Sequence, residues 1–374
     1  MAVSLVSTGV QFPDNSTQTT AATGFGFKNR IINGAMVIDQ RNAGASVTVN
    51  TGTNTFSVDR WAGAGTGSGT DGAFTMQQDS SAPTGFSSSI KVTVTTIDAV
   101  LTSAQSYQVT QSIEGFNTSD LSFGNASAKP ITLSFWVRSS LTGTFGGALS
   151  NSAFNRSYPF TYTISVADTW EYKTVTIAGD TSGTWVGSTN GIGLRVYFGL
   201  GAGSDRAGTA GAWAGSGHTS ATGAVSVIGT LSANWYITGV QLEKGSTATS
   251  FDYRPIGTEL QLCQRYTQVI RGNASTNTPL ANLANIATTR TYGSFWFGNE
   301  MRSSPTVSFS AANTFFARSN SGSAVTVTTI GGGSLTPYSC ELDINVASGL
   351  VAGDSSSVGI TTSASGLITF SAEL

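Results

Sequence analysis

Apolar and polar residues alternate with a period of two through much of this chain, and a segment patterned this way can bury one face only as a β-strand. Ile90, Val92 and Val94 are separated by Lys91 and Thr93, and Ile131, Leu133, Phe135 and Val137 by Thr132, Ser134 and Trp136. The rhythm returns in Phe160, Tyr162, Ile164 and Val166, in Ile192, Leu194, Val196 and Phe198, and in Tyr338, Cys340, Leu342, Ile344 and Val346. Asn190-Gly191 and the run Gly331-Gly332-Gly333 accept positive φ and predict reversals between such rows. Many short strands joined by turns predict an all-β fold of sandwiches or jelly rolls.

One segment breaks the period. In GTELQLCQRYTQVIRG, residues 257–272, Leu260, Cys263, Thr267 and Ile270 follow the three- and four-residue spacing of one helix face. Pro255 stands just before it, Thr258 with Gln261 matches a capping box, and Gly272 can supply a left-handed stop. A short connector helix is predicted there, between a large jelly-roll sandwich over 25–256 and a smaller C-terminal β-sandwich over 273–374. A chain of 374 residues suits two such units. Residues 1–24 are polar, carry Pro13 and Asn15, and form an N-terminal segment without a core of its own.

Only 10% of the residues are charged, against roughly 25% in ordinary soluble domains, while Gly, Ser and Thr abound. The 39% of hydrophobic residues, with 20 Phe and 7 Trp, argue for packed cores and against a disordered tract. A formal net charge of -2 offers no basic field for phosphates, so nucleic acid is not an expected partner. No apolar run approaches the roughly 20 residues that span a bilayer, so membrane insertion is not expected either. The opening MAVSLVSTGV lacks the basic and apolar regions of a signal peptide. Cys263 and Cys340, the only cysteines, are expected to be free buried thiols.

Several stretches resemble a domain of bacteriophage tail fibres. NRIINGAMVIDQRNAG at 29–44, followed by VDRW at 58–61, is similar to the opening of a jelly roll recurring in those proteins, and ITGVQLEKGSTATSFDYRPIGTELQLCQRY at 237–266 to its close. SIEGFN at 112–117, ITLSFWVRSS at 131–140 and TWEYKTVTI at 169–177 resemble its interior strands. VQFPDNSTQTTAA at 10–22 and MRSSPTV at 301–307 agree more weakly. The resemblance implies a virion appendage assembled in the host cytoplasm, a homotrimer with a jelly roll of carbohydrate-binding-module architecture. Residues 1–24 would attach it to phage tail, baseplate or adaptor proteins, and a host surface polysaccharide would be its receptor. A capsid decoration or tail adaptor protein and a glycan depolymerase are the alternatives.

For chemistry the sequence offers little. The single imidazole, His218 in AGSGHTSATG, reads as a solvated loop histidine, or else as a ligand contact. No zinc-type cluster of Cys and His exists, no cofactor motif is present, and no catalytic residue can be named. Two carboxyl groups would suffice for glycoside hydrolysis, but Asp168 and Glu171 beside Trp170 read as the start of a strand whose Trp packs a core. Glycan contacts are expected from loop aromatics, whose faces stack on sugars: Trp213 in TAGAWAGSGH and Trp185 in SGTWVGSTNG, with His218 nearby. They fall in or near a Gly/Ser-rich stretch, 201–224, of the length usual for functional or mobile loops. Trp296 in YGSFWFGN is assigned to the core of the smaller unit.

Overall fold

The computed structural model describes residues 27–67, 72–319, 322–363 and 365–374, together with the backbone of three short antiparallel strands at Ser4–Val6, Gly9–Gln11 and Thr17–Gln18. The attachment segment expected over 1–24 lies, those strands apart, outside the described residues.

The fold is nearly all β. The large unit is a sandwich of two six-stranded sheets. The front sheet runs, edge to edge, Glu171–Ile177, Ile131–Ser139, Asn234–Lys244, Ser89–Thr96, Ala73–Asp79 and Val47–Val49. The rear sheet runs Ser157–Ile164, Gly143–Ser150, Ile192–Ala202, Ser106–Glu114, Ala62–Thr66 and Thr55–Phe56. The alternating rows of this unit supply the inner faces of these sheets: Ile131, Leu133, Phe135 and Val137 meet Val109, Phe145, Phe160, Val196 and Phe198 in one continuous core, while Val166, at the end of its row, lies past the strand and is exposed, as is Tyr338 at the start of its row in the smaller unit. Burying one such side chain contributes roughly 1.5–3 kcal/mol, so a core of this size holds the sandwich without a disulfide. Cys263 and Cys340 are free and buried.

The two stretches that resemble the ends of a tail-fibre jelly roll touch each other. Asn29 accepts from the Leu242 amide and donates to the Val240 carbonyl, both at 3.0 Å, which sews residues 29–33 onto the last front-sheet strand. Gly34 has to be glycine here, because a Cβ would stand 2.2 Å from the Val240 carbonyl oxygen.

The helix is shorter than the predicted 257–272: it spans Ile256–Gln264. Pro255 occupies the cap position without a side-chain bond, so the Thr258 capping box is not used. Residues Thr267–Arg271 form a strand paired with Leu367–Ser371, because Val269 and Ile270 gain ladder partners from the far end of the chain. Cys263 and Tyr266 are buried against Ile32 and Ile38 in a small core of their own.

In the smaller unit six strands, Thr278–Ala287, Arg290–Trp296, Ser339–Val346, Val325–Gly333, Phe315–Ser319 and Ser355–Ile360, close into a barrel, which removes exposed edges. A three-stranded sheet of Thr267–Arg271, Leu367–Ser371 and Thr306–Phe309 shares its core through Ile368 and Phe370. Two expectations fail in this unit. Gly331-Gly332-Gly333 is not a turn but the end of a strand, paired with Asp343, Leu342 and Glu341. Trp296 is not in the core: Phe295 takes the inward phase, and Trp296 on the outer face is 70% exposed.

A largely buried ionic network joins the units. Glu373 accepts from Arg60 and Arg41, and Glu114 accepts from Arg265 and from the Tyr266 hydroxyl, the last at 2.7 Å. Burial beside this network pushes the Asp59 carboxyl up to about 6.

Candidate functional site: an aromatic groove on the outer face of the front sheet

In the row Ile131–Ser139 the outward phase carries Trp136, directly opposite Tyr172 on the edge strand. Their rings lie 5.4 Å apart at 49°. Tyr172 is 44% exposed and Trp136 half-buried. On its other side the Trp136 strand meets a β-bulge: Ser134 faces Gln241 while Trp136 faces Thr238, so Asn234–Lys244 holds one extra residue. Gly239 sits in that bulge at φ 61°, a conformation favouring glycine. A Cβ there would come within 2.7 Å of the Phe86 ring and 3.1 Å of the Trp136 ring. The missing side chain therefore lets aromatics from a strand and a loop close over the bulge.

Phe86 belongs to a trio. Its ring is 5.1 Å from Phe251 and 5.5 Å from Tyr253, which are 4.8 Å from each other. The Tyr253 hydroxyl donates to the Gly85 carbonyl at 2.8 Å, and burial raises its pKa, so the ring stays neutral and fixed. The trio lies between two basins and lines both. One, of about 650 Å³, is completed by Ser134, Trp136, Tyr172, Thr174, Thr247 and Thr249. The other, of about 450 Å³, is completed by apolar Ala35, Val37 and Ile256 and by polar Asn29, Asp252, Arg254 and Glu259.

The two basins differ in charge. Among the described residues no charged side chain lines the larger one. In the smaller one Arg254 and Glu259 hold each other at 3.2 Å, and Glu259 also accepts from the Asn33 amide. That leaves one further carboxylate, Asp252, where glycoside hydrolysis uses two. A trough of exposed ring faces bordered by hydroxyls and amides can stack on the apolar face of a sugar and exchange hydrogen bonds with its hydroxyls.

The aromatics named from the sequence are elsewhere. In the loops flanking the rear sheet Trp213 and Trp185 pack edge to face at 5.4 Å, with Phe123 beside them and Tyr158 from the edge strand of that sheet. The Trp213 indole donates to the Ala178 carbonyl at 2.7 Å, and the Trp185 indole to Asp180 at 3.2 Å. His218 lies half-buried in its loop. Its Nδ1 is 2.9 Å from the Ser157 hydroxyl, its Nε2 3.2 Å from that of Ser216, and burial lowers its pKa. The 201–224 stretch is tied down by the Ser157–Ala214 bridge and by parallel pairing of Ala207–Gly208 with Ser220–Ala221. None of these three residues lines either basin. Trp170 is half-buried on the outer face of the front sheet, 6.1 Å from Tyr236.

The groove residues were missed, although one carried a signal. Trp136 stands in the polar phase of its row, where a large ring serves no core.

No family model matches the chain, and no curated protein matches it. Solved structures similar to it include the enzymatically active domain of tailspike protein 4 of bacteriophage CBA120, at 13% identity and a TM-score of 0.30 over 58% of this chain and 21% of that one. The chain thus aligns with about a fifth of that tailspike domain. A putative sugar binding protein from Bacteroides thetaiotaomicron aligns at 12% identity and a TM-score of 0.34, over 58% of this chain and all of that one. A family 11 carbohydrate-binding module from Clostridium thermocellum, in complex with a mixed-linked tetrasaccharide, aligns at 12% identity and a TM-score of 0.27, over 50% and 91%. The groove, built from this chain's own residues, carries the functional reading that follows.

Proposed function

We propose that this chain is a non-catalytic binding protein that holds a polysaccharide in the groove of Trp136, Tyr172, Phe86, Phe251 and Tyr253, and that it does so as a tail fibre contacting the host surface. The binding half rests on one observation: one aromatic pairing on a sheet face and one from the two loops beside it stand partly open to solvent, next to hydroxyl-bearing neighbours and a glycine bulge that makes room for them. The fibre half is supported by the resemblance of residues 29–44 and 237–266 to tail-fibre jelly rolls. In that role three copies associate, residues 1–24 engage tail or baseplate proteins, and weak single grooves gain avidity from being linked.

The test is retention of the purified chain on immobilised mannan, galactomannan, mixed-linkage β-glucan and polysaccharide from a susceptible host, with mass measured in solution. Retention on at least one polymer without release of reducing ends, from a species of three times the chain mass, is the expected result. Indifference to every polymer would remove the binding reading, appearance of reducing ends would make the chain a depolymerase, and a stable monomer would remove the trimer.

A further inference from the structure

The carboxylates around the groove are not alike. Glu243 takes up the Gln241 amide, the Thr249 amide and the Thr249 hydroxyl, and Glu259 takes up Arg254 and the Asn33 amide. Asp252 accepts the Lys28 and Asn29 amides, at 3.0 and 3.2 Å, on Oδ2 alone. Among the described residues no donor reaches its Oδ1, and Asp252 lines the smaller basin between Phe251 and Tyr253 in sequence. The neighbouring charges do not cancel it. Lys28 is held by the Thr249 hydroxyl and Arg254 by Glu259, so three carboxylates stand against two cations, one net negative charge beside a larger basin with none.

We propose that Asp252 is the specificity-determining residue of the groove, accepting hydroxyls of a neutral hexose polymer through Oδ1 and rejecting polymers that bear carboxylates or sulfates. This rests on the groove being a polysaccharide site. A carboxylate oxygen accepts but cannot donate, so hydroxyl donors satisfy it, whereas an acidic sugar would set two like charges side by side where water is partly excluded. The backbone bonds on Oδ2 fix the side chain in advance, so little ordering is left to be lost on binding.

The experiment uses whichever of mannan, galactomannan or mixed-linkage β-glucan retains the wild-type protein, next to the same polymer after oxidation of its C6 hydroxyls to carboxylates. Asp252→Asn keeps an oxygen for the two amides while replacing the free acceptor by a donor. The wild type is expected to prefer the neutral polymer by about tenfold or more, and the variant to bind it several-fold more weakly with the preference reduced to about twofold. In the wild type alone, raising salt from about 20 mM to about 500 mM should shrink the preference, a readout that survives a failure of the variant to fold. Equal binding of both polymers by the wild type, or an unchanged preference in a folded variant, overturns the role of Asp252 and leaves the groove standing. Retention on none of these polymers overturns the preference for neutral hexose polymers, and if host polysaccharide is not retained either, the groove itself falls.

Discussion

The sandwich carries two aromatic clusters of similar size, one in the loops flanking the rear sheet and one on the face of the front sheet, and they are used in opposite ways. Trp213, Trp185, Phe123 and Tyr158 turn edges to one another at 4.9 to 5.7 Å, and both indole N–H groups are spent on the protein. In the groove, Tyr172 and Tyr253 are 44% and 58% exposed, and among the described residues no acceptor takes the Trp136 indole N–H. A buried indole without an acceptor is costly, so a cluster that exists to pack satisfies its own donors. One that keeps donors and ring faces open to water has them available for a ligand.

Truncation should separate the two. Trp213→Ala removes a ring that seals the rear loops and leaves the Ala178 carbonyl unbonded, and it is expected to lower the unfolding free energy by about 2–3 kcal/mol in denaturant titrations. The folded fraction should bind polysaccharide as before, and weaker binding at unchanged stability would make the loop cluster the site after all. Trp136→Ala reverses the pattern. An anchor ring at the centre of a contact is worth about 2 kcal/mol, so affinity should fall about thirtyfold by calorimetry while stability moves by less than about 1 kcal/mol. A stability loss as large as that of Trp213→Ala, with affinity intact, would show the groove to be packing.

What could be read beforehand follows the same division. The inner rows were legible because the strand period is local: Leu133 and Phe135 announce their face from residues two positions away. The end of the helix was not legible. Thr267–Arg271 fits helical spacing as well as a strand, and only pairing with Leu367–Ser371, far along the chain, decides. Gly331–Gly333 reads as a turn until the Glu341–Asp343 ladder is in place. The groove draws on two loops, with Phe86 from one and Phe251 and Tyr253 from another, and no spacing rule brings these together. Trp136 and Trp296 did leave a mark, as large rings in the outward phase, but Trp296 reads as a core residue, and loop context favours Trp213 and Trp185 over Trp136.

The smallest expected effect is one of pH, and it should touch the rear loops alone. His218 is held between the Ser157 and Ser216 hydroxyls, and burial keeps its pKa below the ordinary 6.5, so the folded chain prefers the neutral ring. The unfolded chain takes up the proton first as pH falls through about 6.5, and the folded state loses ground until the pH reaches the lowered pKa. Between pH 8 and 5 the wild type should therefore lose slightly more thermal stability, or gain slightly less, than His218→Gln, since glutamine has no proton to gain in this range and the raised Asp59 carboxyl, which favours the fold as pH falls toward about 6, titrates alike in both. Over the same interval the Tyr253 hydroxyl does not titrate, its pKa being raised above the ordinary 10. A His218-dependent change in polysaccharide affinity would join the two clusters into one site, whereas a change confined to stability keeps the imidazole with the packing of the loops.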